Sequence, residues 1–191
     1  MKVSTLLTGA LASLTAAQSP APYTDAKSGI TFSTFQHSSG LFFGLALPTN
    51  NTGNTDFIAT VGGKGTGWSG SVLSSFRKAA QYGSPAVTTG TFSQSPIANG
   101  TYVNSTHWTY TFLCQKCIQS DGTTFKTTDQ TANIGYAVNA NAPSQKTNVA
   151  STVTKHSDAG QVEFDLSQAK SDKFDTWKAY AAPKTAHSFQ A

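Results

Sequence analysis

Between Trp108 and Cys117 the chain alternates, with Trp108, Tyr110, Phe112 and Cys114 on one parity and Thr109, Thr111 and Leu113 on the other. Successive side chains of a strand point to opposite faces, so this run predicts a strand with one aromatic face rather than a helix. Segments 29–35, 41–47, 57–61 and 102–113 share this β-branched and aromatic character. Between them lie Pro48-Thr49-Asn50-Asn51-Thr52-Gly53-Asn54, Gly62-Gly63-Lys64-Gly65-Thr66-Gly67, residues 93–100 and Ser120-Asp121-Gly122, all of turn-forming type. The spacing predicts an all-β chain, an antiparallel β-sandwich of immunoglobulin-like type. Helical periodicity is confined to 72–82 and 167–182, and the second is expected as a short C-terminal helix. The glycine run at 62–67 lacks the order of a phosphate-binding loop and reads as a hairpin turn. Residues 139–148 are polar enough for a mobile loop, and no repeat of fixed period occurs.

With 191 residues, 38% of them hydrophobic, the chain can bury one core, which gives a single domain over 18–191. The residues before it hold one Lys, an apolar run over 6–14 and then Thr15-Ala16-Ala17, the layout of a secretory signal peptide at 1–17. The run is shorter than the ~20 residues a membrane span requires. The mature protein is therefore expected to be soluble, secreted and extracellular. Only 12% of residues are charged, which suits the surface of a secreted β protein. In that compartment the sequons at Asn50, Asn99 and Asn104 become glycosylation sites. The net charge of +4 comes from scattered lysines without an aromatic-laced basic stripe, which argues against nucleic acid.

The two cysteines, Cys114 and Cys117, admit several readings. A thioredoxin-type centre needs a helix N-terminus to lower the thiol pKa, and this pair follows a strand. Covalent haem needs a histidine next, where Ile118 stands, and zinc needs a second ligand pair that the chain lacks. In an oxidising compartment a local disulfide at the strand end is the best reading, with a small entropic effect. Of the four histidines, His187 and His107 read as surface or structural groups. His156 lies in a polar, turn-like segment, and a lone histidine can serve as an axial ligand to haem iron, though its default role is structural. No G-x-S-x-G elbow occurs. Asp158, Glu163 and Asp165 would form a glycosidase pair only if the fold set two of them on opposed walls.

The segment Asn104-Ser105-Thr106-His107-Trp108, continuing through Phe112 to Cys114-x-x-Cys117, resembles a signature of the cytochrome domain of fungal cellobiose dehydrogenases, a haem b module also found free-standing. The resemblance extends to Tyr23-Thr24-Asp25, Gly29-Ile30-Thr31-Phe32, Phe57-Ile58, Gly67-Trp68-Ser69-Gly70, Ser74-Ser75-Phe76-Arg77-Lys78-Ala79 and Thr154-Lys155-His156-Ser157-Asp158. It implies a β-sandwich holding haem b between an axial Met and an axial His. His156 matches the axial histidine, Arg77 and Tyr82 match positions near the haem edge and propionates, and the cysteine pair matches a structural disulfide. It also implies electron transfer in lignocellulose breakdown, from a flavin-dependent sugar dehydrogenase to a copper polysaccharide monooxygenase or ferric iron. A haem-free sandwich that binds carbohydrate or a protein partner, with Trp108, Tyr110 or Trp177 as a stacking platform, is the alternative.

The sequence departs from that pattern at one point. In the family the axial Met lies between the G-x-W-x-G strand and the S-S-x-R stretch, and here Gly70 is followed at once by Ser71-Val72-Leu73-Ser74-Ser75. A segment of about two strands, at ~5–6 residues each, is missing. The only methionine is Met1, which leaves with the signal peptide. A skipped exon, a paralogue that binds haem through His156 alone, and a haem-free relative each account for this, and the abrupt join favours the first. Loss of central strands is expected to leave backbone groups unpaired and the core open to water.

Overall fold

The computed structural model describes residues 19–50, 52–65, 74–78, 83–139 and 141–181. Among these, the strands are β1 (Ala21–Thr24), β2 (Thr31–Gln36), β3 (Phe42–Pro48), β4 (Phe57–Lys64), β5 (Arg77–Lys78), β6 (Ala86–Val87), β7 (Ser93–Pro96), β8 (Tyr102–Val103), β9 (His107–Gln115), β10 (Thr131–Val138), β11 (Asp158–Asp165) and β12 (Lys170–Ser171). One short helix, α1 (Phe174–Lys178), follows. The main sheet runs β1-β2-β3-β4-β9-β7, with β8 beside β9 and β12 beside β3. Neighbours along this path are antiparallel, and β12 alone lies parallel to its partner. β10 pairs with β11, and β5 with β6, in two smaller antiparallel sheets.

Alternation sorts the central strands between two cores. Phe35, Leu45 and Ala59 face the β10–β11 layer, where Ala132, Phe164 and Leu166 meet them. Phe32, Ala46, Ile58 and Leu113 point the other way and are covered by Ile97 and by Phe174 and Trp177 of α1. The predicted antiparallel sandwich is thus observed, with layers of unequal size. β3, β4 and β9 are each paired on both sides, and Ile30, Ile58 and Phe164 are fully buried. The centre of the main sheet is therefore closed, whereas among the described residues β10, β11, β5 and β6 are each paired on one side only, as expected where strands are missing.

Four local expectations differ, the first being that residues 93–96 of the expected turn segment 93–100 form β7, paired with β9. Gly62 and Gly63 are not a turn, because β4 runs through them to Lys64 and pairs with β9. A Cβ at Gly62 would stand 2.3 Å from the Phe42 ring and 2.5 Å from the Trp108 carbonyl, so glycine here admits close cover on a strand. The described part of the helix expected at 72–82 is extended instead, with Arg77 and Lys78 opposite Val87 and Ala86. The C-terminal helix is shorter than 167–182. A 3-10 turn (Leu166–Ala169) and then β12 precede α1. Leu166 and Ala169 belong to one core and Phe174 and Trp177 to the other, so the chain must pass the sheet between them. The signal peptide at 1–17, the Gly70–Ser71 junction and Tyr82 lie outside the described residues.

Candidate functional site: the cleft at His156

The long connection between β10 and β11 carries His156 and is fastened on both sides of it. Asn139, just past β10, donates from Nδ2 to Thr154 Oγ1 at 2.9 Å and to the Lys155 carbonyl at 2.5 Å. On the other side the Ser157 N–H donates to the Val138 carbonyl at 2.9 Å, and its hydroxyl donates to the same oxygen at 3.2 Å. His156 itself is exposed. It opens on a cleft of about 520 Å³ with Pro85, Ala137, Val138 and Val153 as apolar walls and Lys155 alongside. That size lies within the range of cofactor and ligand sites.

Among the described histidines, the ring nitrogens distinguish the three. His37 Nδ1 is hydrogen-bonded to Ser39 Oγ at 2.8 Å, and its Nε2 lies 3.4 Å from Asp158 Oδ2. His107 Nδ1 is hydrogen-bonded to Thr106 Oγ1 at 2.9 Å. His156 has no hydrogen-bond or ion-pair partner among the described residues, so its nitrogens are free to bind a metal. Among the described residues no group of three or more His, Cys, Asp or Glu could hold a metal ion alone. The cleft thus sets one imidazole beside the apolar residues Pro85, Val138 and Val153 and the basic Lys155.

Arg77 sits at a neighbouring cleft that shares Val153 as a wall. Its guanidinium donates to Ser75 Oγ at 3.2 Å, to the Pro85 carbonyl at 3.1 Å, to the Ser151 carbonyl at 2.9 Å and to the Val149 carbonyl. Of five N–H donors four are used, so the side chain ties β5 to the 141–151 loop. That loop, predicted as mobile, also closes on itself through Gln145 N–H to Ser151 Oγ at 3.1 Å and Asn148 Nδ2 to Gln145 Oε1 at 2.6 Å.

Cys114 and Cys117 form a disulfide at the end of β9, with Cα atoms 5.7 Å apart. Asp56 secures the turn: its Oδ1 accepts the Lys116 N–H at 2.8 Å, while Oδ2 meets Lys178 Nζ of α1 at 2.6 Å. No sequence pattern marked Asp56, since its two partners lie far along the chain. Asn50, Asn99 and Asn104 are all exposed. The Asn104 Oδ1 accepts the backbone N–H groups of Thr106 and His107 at 2.9 and 2.8 Å.

The late carboxylates do not form an opposed pair. Asp158, Glu163 and Asp165 lie along one strand, Asp158 beside His37 and Asp165 accepting the Ser167 N–H at 2.9 Å. Hydrogen bonds from the Ser167 hydroxyl and backbone hold the Asp165 carboxyl below its ordinary pKa. Of the expected aromatic platform, Trp177 is 4% and Tyr110 7% exposed, while Trp108 is half-buried. Trp177 and Tyr110 are spent on packing.

Residues 23–73 and 69–176 match the family described as the cytochrome domain of cellobiose dehydrogenase, two stretches that overlap around the Gly70–Ser71 junction. Two solved structures share the fold. The cytochrome domain of Myriococcum thermophilum cellobiose dehydrogenase superposes with a TM-score of 0.74 at 22% identity, covering 88% of this chain and 99% of that one. The cytochrome b domain of pyranose dehydrogenase from Coprinopsis cinerea gives 0.70 at 22% identity, covering 85% and 95%. With matched segments that include both the disulfide turn and the loop bearing His156, the chain belongs to the family of cellobiose dehydrogenase cytochrome domains.

Proposed function

We propose that this chain is a secreted, glycosylated electron-transfer domain that holds haem b through His156. The observation that carries the reading is an exposed imidazole with no partner among the described residues, in a cleft with apolar walls, on a loop fastened at both ends within the region the family match covers. Bound there, haem supplies one-electron exchange. His156 would supply a nitrogen to the iron, Pro85, Val138 and Val153 would offer apolar contact to the ring, and Lys155 could pair with a carboxylate of the group. Asn139 orients the segment that presents the imidazole.

Family membership supports a flavin-dependent sugar dehydrogenase as electron donor. A copper polysaccharide monooxygenase as acceptor, and a place in lignocellulose breakdown, extend the same reading. The test is haem titration of the full chain followed by absorption. Wild-type protein is expected to retain one haem with a b-type spectrum, His156→Ala to lose it, and Asn139→Ala to bind about tenfold more weakly, as for residues that orient a metal ligand. Equal haem retention by wild type and His156→Ala would remove the assignment.

A further inference from the structure

Lys116 stands between the two cysteines at φ 56°, and among the described residues it is the one non-glycine with a positive φ. The left-handed conformation disfavours any residue that carries a Cβ. Three contacts hold the turn in it. The disulfide closes over it, Asp56 Oδ1 accepts the Lys116 N–H at 2.8 Å, and Gln119 Nε2 donates to the Lys116 carbonyl. Just past the ring, the Ile118 N–H donates to the Thr55 carbonyl at 2.9 Å, so the chain there is fastened without the covalent bond. The Cys117 Sγ lies 3.5 Å from the Gln115 carbonyl oxygen and 3.9 Å from that of Ser93. A disulfide has no hydrogen to offer these oxygens, whereas a thiol has one. The oxidised ring is thus strained at Lys116, and acceptors for the reduced form are already in place.

We propose that Cys114 and Cys117 are a reducible pair, a site of thiol–disulfide exchange with small monothiols of the glutathione class, and that reduction lets Lys116 leave the left-handed region. A cleft of about 700 Å³ reaches both cysteines past Phe57, Phe76 and Phe92. Cys117 is 8% exposed against 1% for Cys114, which makes its sulfur the point of attack. One thiolate attacks Cys117 Sγ, the Cys114–Cys117 bond breaks, and Cys114 leaves as a thiolate and takes a proton. A second thiolate attacks the small thiol's sulfur in the mixed disulfide and displaces Cys117, which is protonated in turn. Two thiols are oxidised to one small disulfide, and the protein gains two electrons and two protons. The exchange involves neither His156 nor haem.

The experiment equilibrates the full chain with graded mixtures of reduced and oxidised glutathione, traps free thiols by alkylation and counts them by mass. The native wild-type chain is expected to pass reversibly from no free thiol to two, with its far-ultraviolet circular dichroism unchanged. Lys116→Gly removes the penalty of a positive φ from the oxidised turn, so its half-reduction should need an about fivefold more reducing mixture. Lys116→Ala removes the ammonium but keeps the Cβ, and should titrate with the wild type. Thiols that appear only once denaturant has unfolded the chain would overturn the exchange site. Equal midpoints for wild type and Lys116→Gly would overturn the release of Lys116. So would Lys116→Ala moving with Lys116→Gly, because the shift would then come from lost charge.

Discussion

Tyr110 shows how one residue carries a measurable signature of the fold. It stacks on Phe112 with ring centroids 5.1 Å apart and is almost wholly enclosed. Burial pushes its phenol up to about 12, against ~10 for an unfolded tyrosine. The folded chain thus binds this proton more tightly than the unfolded one does. The contribution to stability is complete below pH ~10 and is lost as pH rises from there towards about 12. Ultraviolet titration of the folded protein should show a last tyrosine phase near that value, and Tyr110→Phe should abolish it. Persistence of the phase in the variant would assign it to another residue.

At the scale of elements, Arg77 decides between two roles. Its contacts make it a clamp between β5, the Pro85 carbonyl and the 141–151 loop. The family resemblance instead puts it near haem propionates. Arg77→Leu strands carbonyls at part-buried positions, which costs about 1–3 kcal/mol, and a lysine cannot reproduce the fork. Hydrogen exchange in 141–151 should rise in both Arg77→Leu and Arg77→Lys with haem affinity unchanged. A fall in haem affinity without faster exchange would favour the propionate role.

The strands of the main sheet were legible because aromatic and β-branched residues mark them, as in β2, β3, β4 and β9. β10 and β11 carry the same period of two, for example Ile134, Tyr136 and Val138 against Asn133, Gly135 and Ala137. One polar face and two glycines weaken that signal, so β11 reads as a cluster of carboxylates. The Gly62–Gly63 pair misleads for a different reason: its meaning depends on Phe42 and Trp108, which reach it only through pairing. His156 could be singled out through resemblance, yet its free nitrogens are a property of the folded loop. Arg77 as a clamp was not legible, since the loop carbonyls it holds, of Val149 and Ser151, lie more than seventy positions away.

For the whole molecule, the disulfide contributes little beyond local shape. It joins residues three apart, and so small a ring removes only about 2 kcal/mol of unfolded-chain entropy. A Cys114→Ser, Cys117→Ser double variant should therefore remain folded with a thermal midpoint lowered by several degrees, and calorimetry checks this. Complete unfolding at room temperature would show that the turn matters more than its ring size predicts. Asp56, which touches both the disulfide turn and α1, anchors the same corner without a covalent bond.

The two cores impose a final constraint, on where this protein can be approached. Phe35, Leu45 and Ala59 on one face of the main sheet are covered by β10 and β11, and Phe32, Ala46 and Ile58 on the other are covered in part by α1. His156 stands exposed on the long fastened connection between β10 and β11, at the surface rather than at the bottom of a shaft, where a visiting protein can approach it directly.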